Sequence, residues 1–434
     1  MVSVAENLSD KIAKQSWYPW FVWGLGAAFF FAEYFARLGP NVMVPELMQV
    51  FHMDALGLGI LFSYFYWPYI IMQLPVGLFV DRYGAQSMLV IMTALCALSC
   101  YLFGHAESLW IAEMARFLLG IAGAFAFVAT LKLATVWFPA SRFGLLAGAT
   151  QAVGMLGAAF GEGPVAWISA HLGWRHTFLY MALFFLFLSG MIMCLVRDRK
   201  PQTHQNTLQK GAYAALWKGL QQVLKNKQTW YNALFAALIF APTGTFAELW
   251  GVTYLEHVQH LSHPAAANAI SMVFLGWGIG GPLCGFWSDR LQQRKPMMYY
   301  SAIASLFFLT CVLYWTGLSA PVLFLLLFCY GVANSGLVIA YAISGEINPQ
   351  YVAGISMAFA NMASVILAPL FQDLAGYILV DQWDGAMVKG IPYYSATAYE
   401  WSTVVLPVSL VLAFFVAMRV KETHCQRIES YTDS

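Results

Sequence analysis

Twelve apolar runs, each close to the length of a bilayer-crossing helix and separated by short polar breaks, constrain this chain more than any other feature. About 20 mostly apolar residues cross the hydrocarbon as a helix, and only helices and closed barrels satisfy their backbone polar groups there. In the first half the runs are Tyr18 to Val44, Leu56 to Val80, Ser87 to Gly104, Leu109 to Trp137, Phe143 to Ser169 and Trp174 to Val196. In the second they are Trp230 to Val252, Ala266 to Trp287, Met297 to Gly317, Val322 to Ile343, Val352 to Val380 and Trp401 to Val420. The predicted fold is all-α: a polytopic membrane protein of twelve transmembrane helices in two pseudo-symmetric six-helix bundles. Its organisation would be a tail over 1–17, a bundle over 18–196, a linker over 197–229, a second bundle over 230–420 and a tail over 421–434.

Composition agrees and removes other classes. Only 10% of the 434 residues are charged and 60% are apolar, against roughly 25% charged in a soluble domain. A formal net charge of +1 supplies no field that would draw nucleic acid. Six of the seven cysteines (Cys96, Cys100, Cys194, Cys284, Cys311 and Cys329) fall inside apolar runs, so neither a disulfide framework nor a thiolate metal site is expected. The polar stretch Met1 to Trp17 lacks the pattern of a cleaved signal, and the first helix is expected to stay in the mature chain.

One phrase occurs twice. Gly77-Leu78-Phe79-Val80-Asp81-Arg82-Tyr83-Gly84 returns as Gly285-Phe286-Trp287-Ser288-Asp289-Arg290, each copy at the end of an even-numbered run and just before the next. Duplicated halves point to a rocking carrier with its site between them. Seventeen Lys and Arg lie in the termini, the linker and the loops after even-numbered spans, against Arg175 and Lys389 on the opposite side. Both termini are therefore expected in the cytoplasm.

Two six-span halves, the Gly-x-x-x-Asp-Arg turn after spans two and eight, and Arg116 followed by Gly120 in span four resemble the major facilitator superfamily of secondary transporters over about Tyr18 to Val420. The resemblance implies a cytoplasmic gate latch made of Gly77, Asp81, Arg82 and Gly84 in one half and Gly285, Asp289 and Arg290 in the other. It is closest to the organic anion:proton symporter branch, whose arginines in spans one and four serve the substrate carboxylate; Arg37 and Arg116 match them. The acid preceding the first arginine is Ala36 here, with Glu33 nearby, and the acid seven residues after the second is Gly123.

Charges inside the spans carry the functional expectation. Glu33, Arg37, Arg116, Lys132, Glu162 and Glu248 facing lipid would cost roughly 3 kcal/mol each, about 18 kcal/mol together and more than the roughly 5–15 kcal/mol of a whole fold. Most must face one another or water. Glu33 and Arg37, four apart, share a helix face and can pair. Phe31-Ala32-Glu33 recurs as Phe246-Ala247-Glu248 in span seven, bringing both glutamates to a central cavity. A substrate carboxylate competing for Arg37 would leave Glu33 desolvated and prone to take a proton.

Other residues leave alternatives open. Arg116 either meets substrate or pairs with Glu113; Lys132 either lines the cavity or snorkels to the interface. Glu162 interrupts a small-residue run, Gly157 to Pro164, suited to close helix packing. Tyr34, Tyr64, Tyr66, Tyr341 and Trp250 are candidate cavity walls, and Asn334 and Asn361 bond a substrate or bridge helices. His257, His260 and His263 are spaced for a metal, but no second shell is evident, and no metal is expected. Gly276-Trp277-Gly278-Ile279-Gly280-Gly281 matches a dinucleotide fingerprint by letter yet lies inside a span, where close packing explains it.

The expected function is alternating-access transport without a cofactor, driven by an ion gradient, in which Arg37, Arg116, Tyr34, Lys132, Asn334, Tyr341 and Trp250 bind a small organic anion. Glu33, Glu248 and Glu162 would couple protons. Sugar acids, other carboxylates, carboxylate siderophores and acidic peptides all suit this pattern. A monomer in a bacterial inner membrane is the expected setting. A proton-coupled exporter and a solute sensor that transports nothing are the alternatives.

Overall fold

The computed structural model describes residues 17–139, 142–197 and 212–427. Twelve helices in it are long and apolar enough to cross a membrane. They are Tyr18–Phe51, Ala55–Met72, Ala85–Gly104, Leu109–Trp137, Phe143–Leu172, Trp174–Leu195, Lys227–His257, His263–Leu291, Lys295–Tyr314, Ala320–Glu346, Gln350–Asp381 and Ala396–Arg419, named spans 1 to 12 in that order. Each corresponds to one run read from the sequence. Large side chains such as Trp110, Leu186 and Phe187 stay exposed on the flanks, as they do when the surrounding solvent is lipid.

The duplication is visible in the packing. Span 3 packs on 6 and on 4, span 1 on 5 and span 2 on 4; the second half repeats these pairs as 9 on 12, 9 on 10, 7 on 11 and 8 on 10. Glycines permit the closest approaches. A Cβ on Gly120 would lie 2.1 Å from the Phe65 carbonyl, and one on its counterpart Gly331 would lie 2.0 Å from that of Val273. Gly276 and Gly280 likewise lie against Phe328 and Val332 of span 10, so the G-x-G-x-x-G letters serve helix packing. Gly157 at the head of the small-residue run meets Phe31 of span 1, and Gly154, one turn before it, meets Phe30.

Spans 1 and 7 both depart from regular α-helical geometry. Span 1 is α-helical to Leu38, then passes through five residues of tighter 3-10 geometry, Gly39–Met43. Pro40 cannot donate a backbone bond. Span 7 widens after Pro242 into π geometry over Thr243–Trp250, the segment carrying Glu248. Local rewinding of this kind re-aims side chains and is common where a helix carries a functional group.

Two symmetry-related pairs of spans, 2 with 11 and 5 with 8, join the halves. A Cβ on Gly376 would approach the Ala55 carbonyl to 2.5 Å, and Ser63 donates to Asp373 Oδ1 at 2.8 Å. On the other pair, a Cβ on Gly163 would reach Asn268 Oδ1 at 2.1 Å and the Gly163 N–H donates to Ser271 Oγ at 3.1 Å. These contacts seal the face opposite the linker. The segment Ala212–Lys225 is helical and sets Leu220 and Val223 against Val352 and Phe359 at the start of span 11. It docks on the second bundle.

Candidate functional site

A cavity of about 750 Å³ opens between the halves. Its head, at mid-span, carries Arg37 and Glu248; its walls run past Tyr69, Gln73 and Trp277 to Asp81, Phe143 and Met357 near the linker face. The molecule is thus open on the linker side and shut on the other.

Arg37 meets Glu248 across the two halves. Its Nη2 donates to Oε2 at 2.7 Å and to Oε1 at 3.0 Å, and both side chains are buried. The Tyr66 hydroxyl donates to the same Oε2 and accepts from Arg37 Nη2 at 3.3 Å. Four rings, of Tyr34, Phe65, Tyr66 and Tyr69, surround the guanidinium with centroids 4.8 to 5.7 Å away. Such rings stabilise a desolvated cation electrostatically. The expected Glu33–Arg37 pair is therefore corrected: four-residue spacing allowed it, but the π-widened turn of span 7 delivers a better-placed carboxylate.

Glu33 sits behind this pair, 1% exposed, with Oε1 lacking a hydrogen-bond partner. A Cβ on Gly123 would lie 2.5 Å from that oxygen. The glycine that replaces the acid implied by the resemblance leaves room for a carboxylate arriving from span 1 instead of span 4.

Arg116 does not line the cavity. Its Nη1 donates to the Arg37 backbone carbonyl at 2.8 Å, and its guanidinium stacks over Phe62 and Phe65. The α-helix of span 1 ends beside this carbonyl, and helix-end carbonyls need donors from elsewhere. Arg116 thus positions Arg37 through its backbone; neither direct substrate contact nor the pair with Glu113 describes it here.

Three more candidate binding residues serve the scaffold in this state. Asn334 donates to the Ile239 carbonyl at 2.8 Å and accepts from Thr243 Oγ1, holding span 10 to span 7. Trp250 donates to the Gln372 carbonyl at 3.2 Å. Lys132 does not line the cavity itself but pairs at 2.7 Å with Asp81 at its mouth. Tyr34 and Tyr341 do line the cavity, and Tyr341 donates to Asn361 Oδ1 at 3.0 Å. Glu162 is fully buried at the seal, where Oε1 accepts from Asn41 and Oε2 has no partner.

The motif acids are paired, though not by the motif arginines. Asp81 takes Lys132 from span 4, and Asp289 takes Arg294 at 2.6 Å, whose other end binds Glu346 of span 10 at 2.7 Å. Arg82 and Arg290 are exposed and lie over Tyr83 and Trp287. One residue further along a helix is 100° further round, which turns both arginines away from their neighbours' partners. Gly84 has φ +87° and makes the turn into span 3; Gly77 and Gly285 meet nothing within 4 Å on this open side. Burial raises Glu422, but backbone N–H groups, including those of Arg294 and Lys295, hold its carboxyl below the usual range.

The two ion-pair sets differ in burial, so their contributions should differ. Arg294→Ala should lower stability by about 3 kcal/mol, since it strands the mostly buried Glu346, whereas Lys132→Ala breaks an exposed pair worth at most about 1 kcal/mol. Thermal unfolding of both variants in detergent checks the ranking.

Two of the three outer histidines find separate partners: His257 faces the Thr253 carbonyl, while His263 bridges Glu256 and the Val42 carbonyl. Sequence reasoning missed Tyr69 and Gln73. The spacing of Tyr66, Tyr69 and Gln73, three and then four apart, places them on one face of span 2 and was the available signal.

The Major Facilitator Superfamily model matches residues 23–371. The probable sulfoacetate transporter SauU of Cupriavidus necator is 22% identical, with 81% of this chain and 79% of its own covered. The probable galactarate/D-glucarate transporter GudP of Escherichia coli is 22% identical over 82% and 86%. A bacterial homologue of the human lysosomal transporter Spinster, in an inward-facing and unoccupied conformation, superposes with a TM-score of 0.75 at 15% identity, covering 94% of this chain and 98% of its own. Because the family match runs from the first span into the eleventh, through both copies of the repeated phrase and both intramembrane arginines, this chain belongs to the Major Facilitator Superfamily of membrane transporters.

Proposed function

We propose that this protein carries a small organic anion together with a proton by alternating access, importing both across a bacterial inner membrane with its termini cytoplasmic. The observation that carries the reading is the Arg37–Glu248 pair: one buried ion pair, built from both halves, at the head of the cavity. The similarity to transporters of sulfoacetate and of galactarate or D-glucarate supports an anionic substrate.

The pair provides the coupling. An anion reaching Arg37 displaces Glu248, which keeps only Tyr66 as a donor. A buried carboxylate so stranded costs several kcal/mol, and taking a proton removes that cost. The loaded site then holds a paired arginine and a neutral acid; the empty site holds the Arg37–Glu248 pair. Both are electrically satisfied and can be enclosed. Anion without proton, or proton without anion, leaves one buried charge unpaired, which suppresses leak. Glu33 is a second carboxylate in the same cluster. The open linker face then corresponds to the inward-facing, unloaded form.

Proteoliposomes with an imposed pH gradient test this. Acid outside should drive anion accumulation in the parent, while Glu248→Gln should keep anion exchange and lose the acceleration by the gradient. Accumulation indifferent to the gradient would sink proton coupling; binding without any accumulation would mark a sensor.

A further inference from the structure

The cavity's charge inventory is short. Among the described residues lining it, the charged ones are Arg37 and Glu248 at the head and Asp81 at the mouth, which Lys132 neutralises. Arg116 is turned to the backbone and contributes no head group to the cavity. One cation therefore faces a bound substrate. Beneath it the walls are rings and thioether, among them Phe30, Phe127, Phe240, Phe274, Trp277 and Met155. The other polar side chains lining it are neutral, and among them Asn361 donates to Gln73 Oε1 at 2.7 Å and accepts from the Tyr341 hydroxyl at 3.0 Å, bridging the halves. At about 750 Å³, the volume lies within the range that holds ligands of drug-like size.

We propose, resting on the anion-transport reading above, that the site selects monoanions: a single carboxylate or sulfonate on an uncharged, ring-bearing body whose far end offers a hydroxyl or carbonyl to Gln73 and Asn361. The head group pairs with Arg37. The ring lies against the aromatic walls, where apolar burial and ring contacts retain it. The neutral amides meet one uncharged polar group at the other end. A second ionised group has no cation to meet. It would stand among rings or beside amides, and a buried charge without a counter-charge is strongly disfavoured. Proton uptake by Glu248 raises the head's net charge by one unit, matching one anionic charge and no more. Sulfoacetate and D-glucarate, each with two acid groups, should therefore be poor ligands despite the similarity of this chain to transporters named for them.

The test is equilibrium binding to the purified full chain, followed by thermal shift and calorimetry. 4-Hydroxyphenylacetate, 4-carboxyphenylacetate, tyramine, sulfoacetate and D-glucarate share a buffer at pH 7.5. 4-Hydroxyphenylacetate should bind at least about a hundredfold more tightly than its dianionic counterpart, a gap expected for one uncompensated buried charge. Met155→Arg places a second cation on the wall and should narrow that gap at least tenfold, while Arg37→Met abolishes binding of both. If a dianion binds as tightly as the monoanion, the valence selection is overturned and the anion reading stands. If tyramine binds and no anion does, the anion reading itself fails. If none of the five binds, or Met155→Arg leaves the gap unchanged in a folded protein, the assignment of ring-bearing monoanions to this cavity is wrong.

Discussion

Replacing Arg37 with Met should lower anion uptake by about a hundredfold or more, the loss expected when a charged hydrogen-bonding anchor disappears. It should also destabilise the protein by about 3–5 kcal/mol, because Glu248 is left buried, ionised and without its cation. The two effects separate in a double variant. Arg37→Met with Glu248→Leu removes both charges, and replacement of a whole buried pair by apolar side chains is often neutral. The double variant should therefore regain most of the lost thermal stability in detergent while uptake in proteoliposomes stays absent. Recovery of neither would show that the pair is chiefly scaffold; recovery of uptake would show that the anion binds elsewhere. The geometry favours the first outcome. Both side chains are almost inaccessible, and Tyr66 satisfies only one of the carboxylate's oxygens.

Gly376→Val should shift the molecule toward the conformation open on the side now sealed. A Cβ at 376 would lie 2.5 Å from the Ala55 carbonyl, a contact between halves that exists only while that face is shut. Overpacking of this kind costs about 1–3 kcal/mol, a change of about five- to hundredfold in the ratio of the two states. Spin-label distances between the sealed ends of spans 2 and 11 should lengthen, and transport should slow because one state is disfavoured. Gly331→Val supplies the contrast. Its Cβ would lie 2.0 Å from the Val273 carbonyl, within a single bundle. No rocking motion relieves that overlap, so this variant should lose folded yield with no change of distance in the remainder. If both variants behave alike, the joint between spans 2 and 11 is not a gate.

The site was partly legible because electrostatics in lipid is severe. Glu33, Arg37, Arg116, Glu162 and Glu248 stand out in apolar runs, and all five are buried in the folded chain. Partner choice was not legible. Glu33 lies one turn from Arg37 and Glu248 lies 211 positions away, yet Arg37 pairs with the distant acid. Local spacing describes one straight helix, whereas the acid that reaches Arg37 sits on another helix, in the π-widened segment Thr243–Trp250. The same holds for Lys132, whose long side chain settles on Asp81 through the packing of span 2 on span 4.

Twelve spans, their division into two like halves and the intramembrane charges followed from the amino-acid order alone, because a bilayer admits few ways to bury a backbone and penalises every stray charge. Which carboxylate holds Arg37, that Arg116 anchors a carbonyl, and which face stands open were decided by tertiary structure. Those outcomes depend on contacts between helices distant in the chain, where a fraction of an ångström or one widened turn determines which oxygen arrives first.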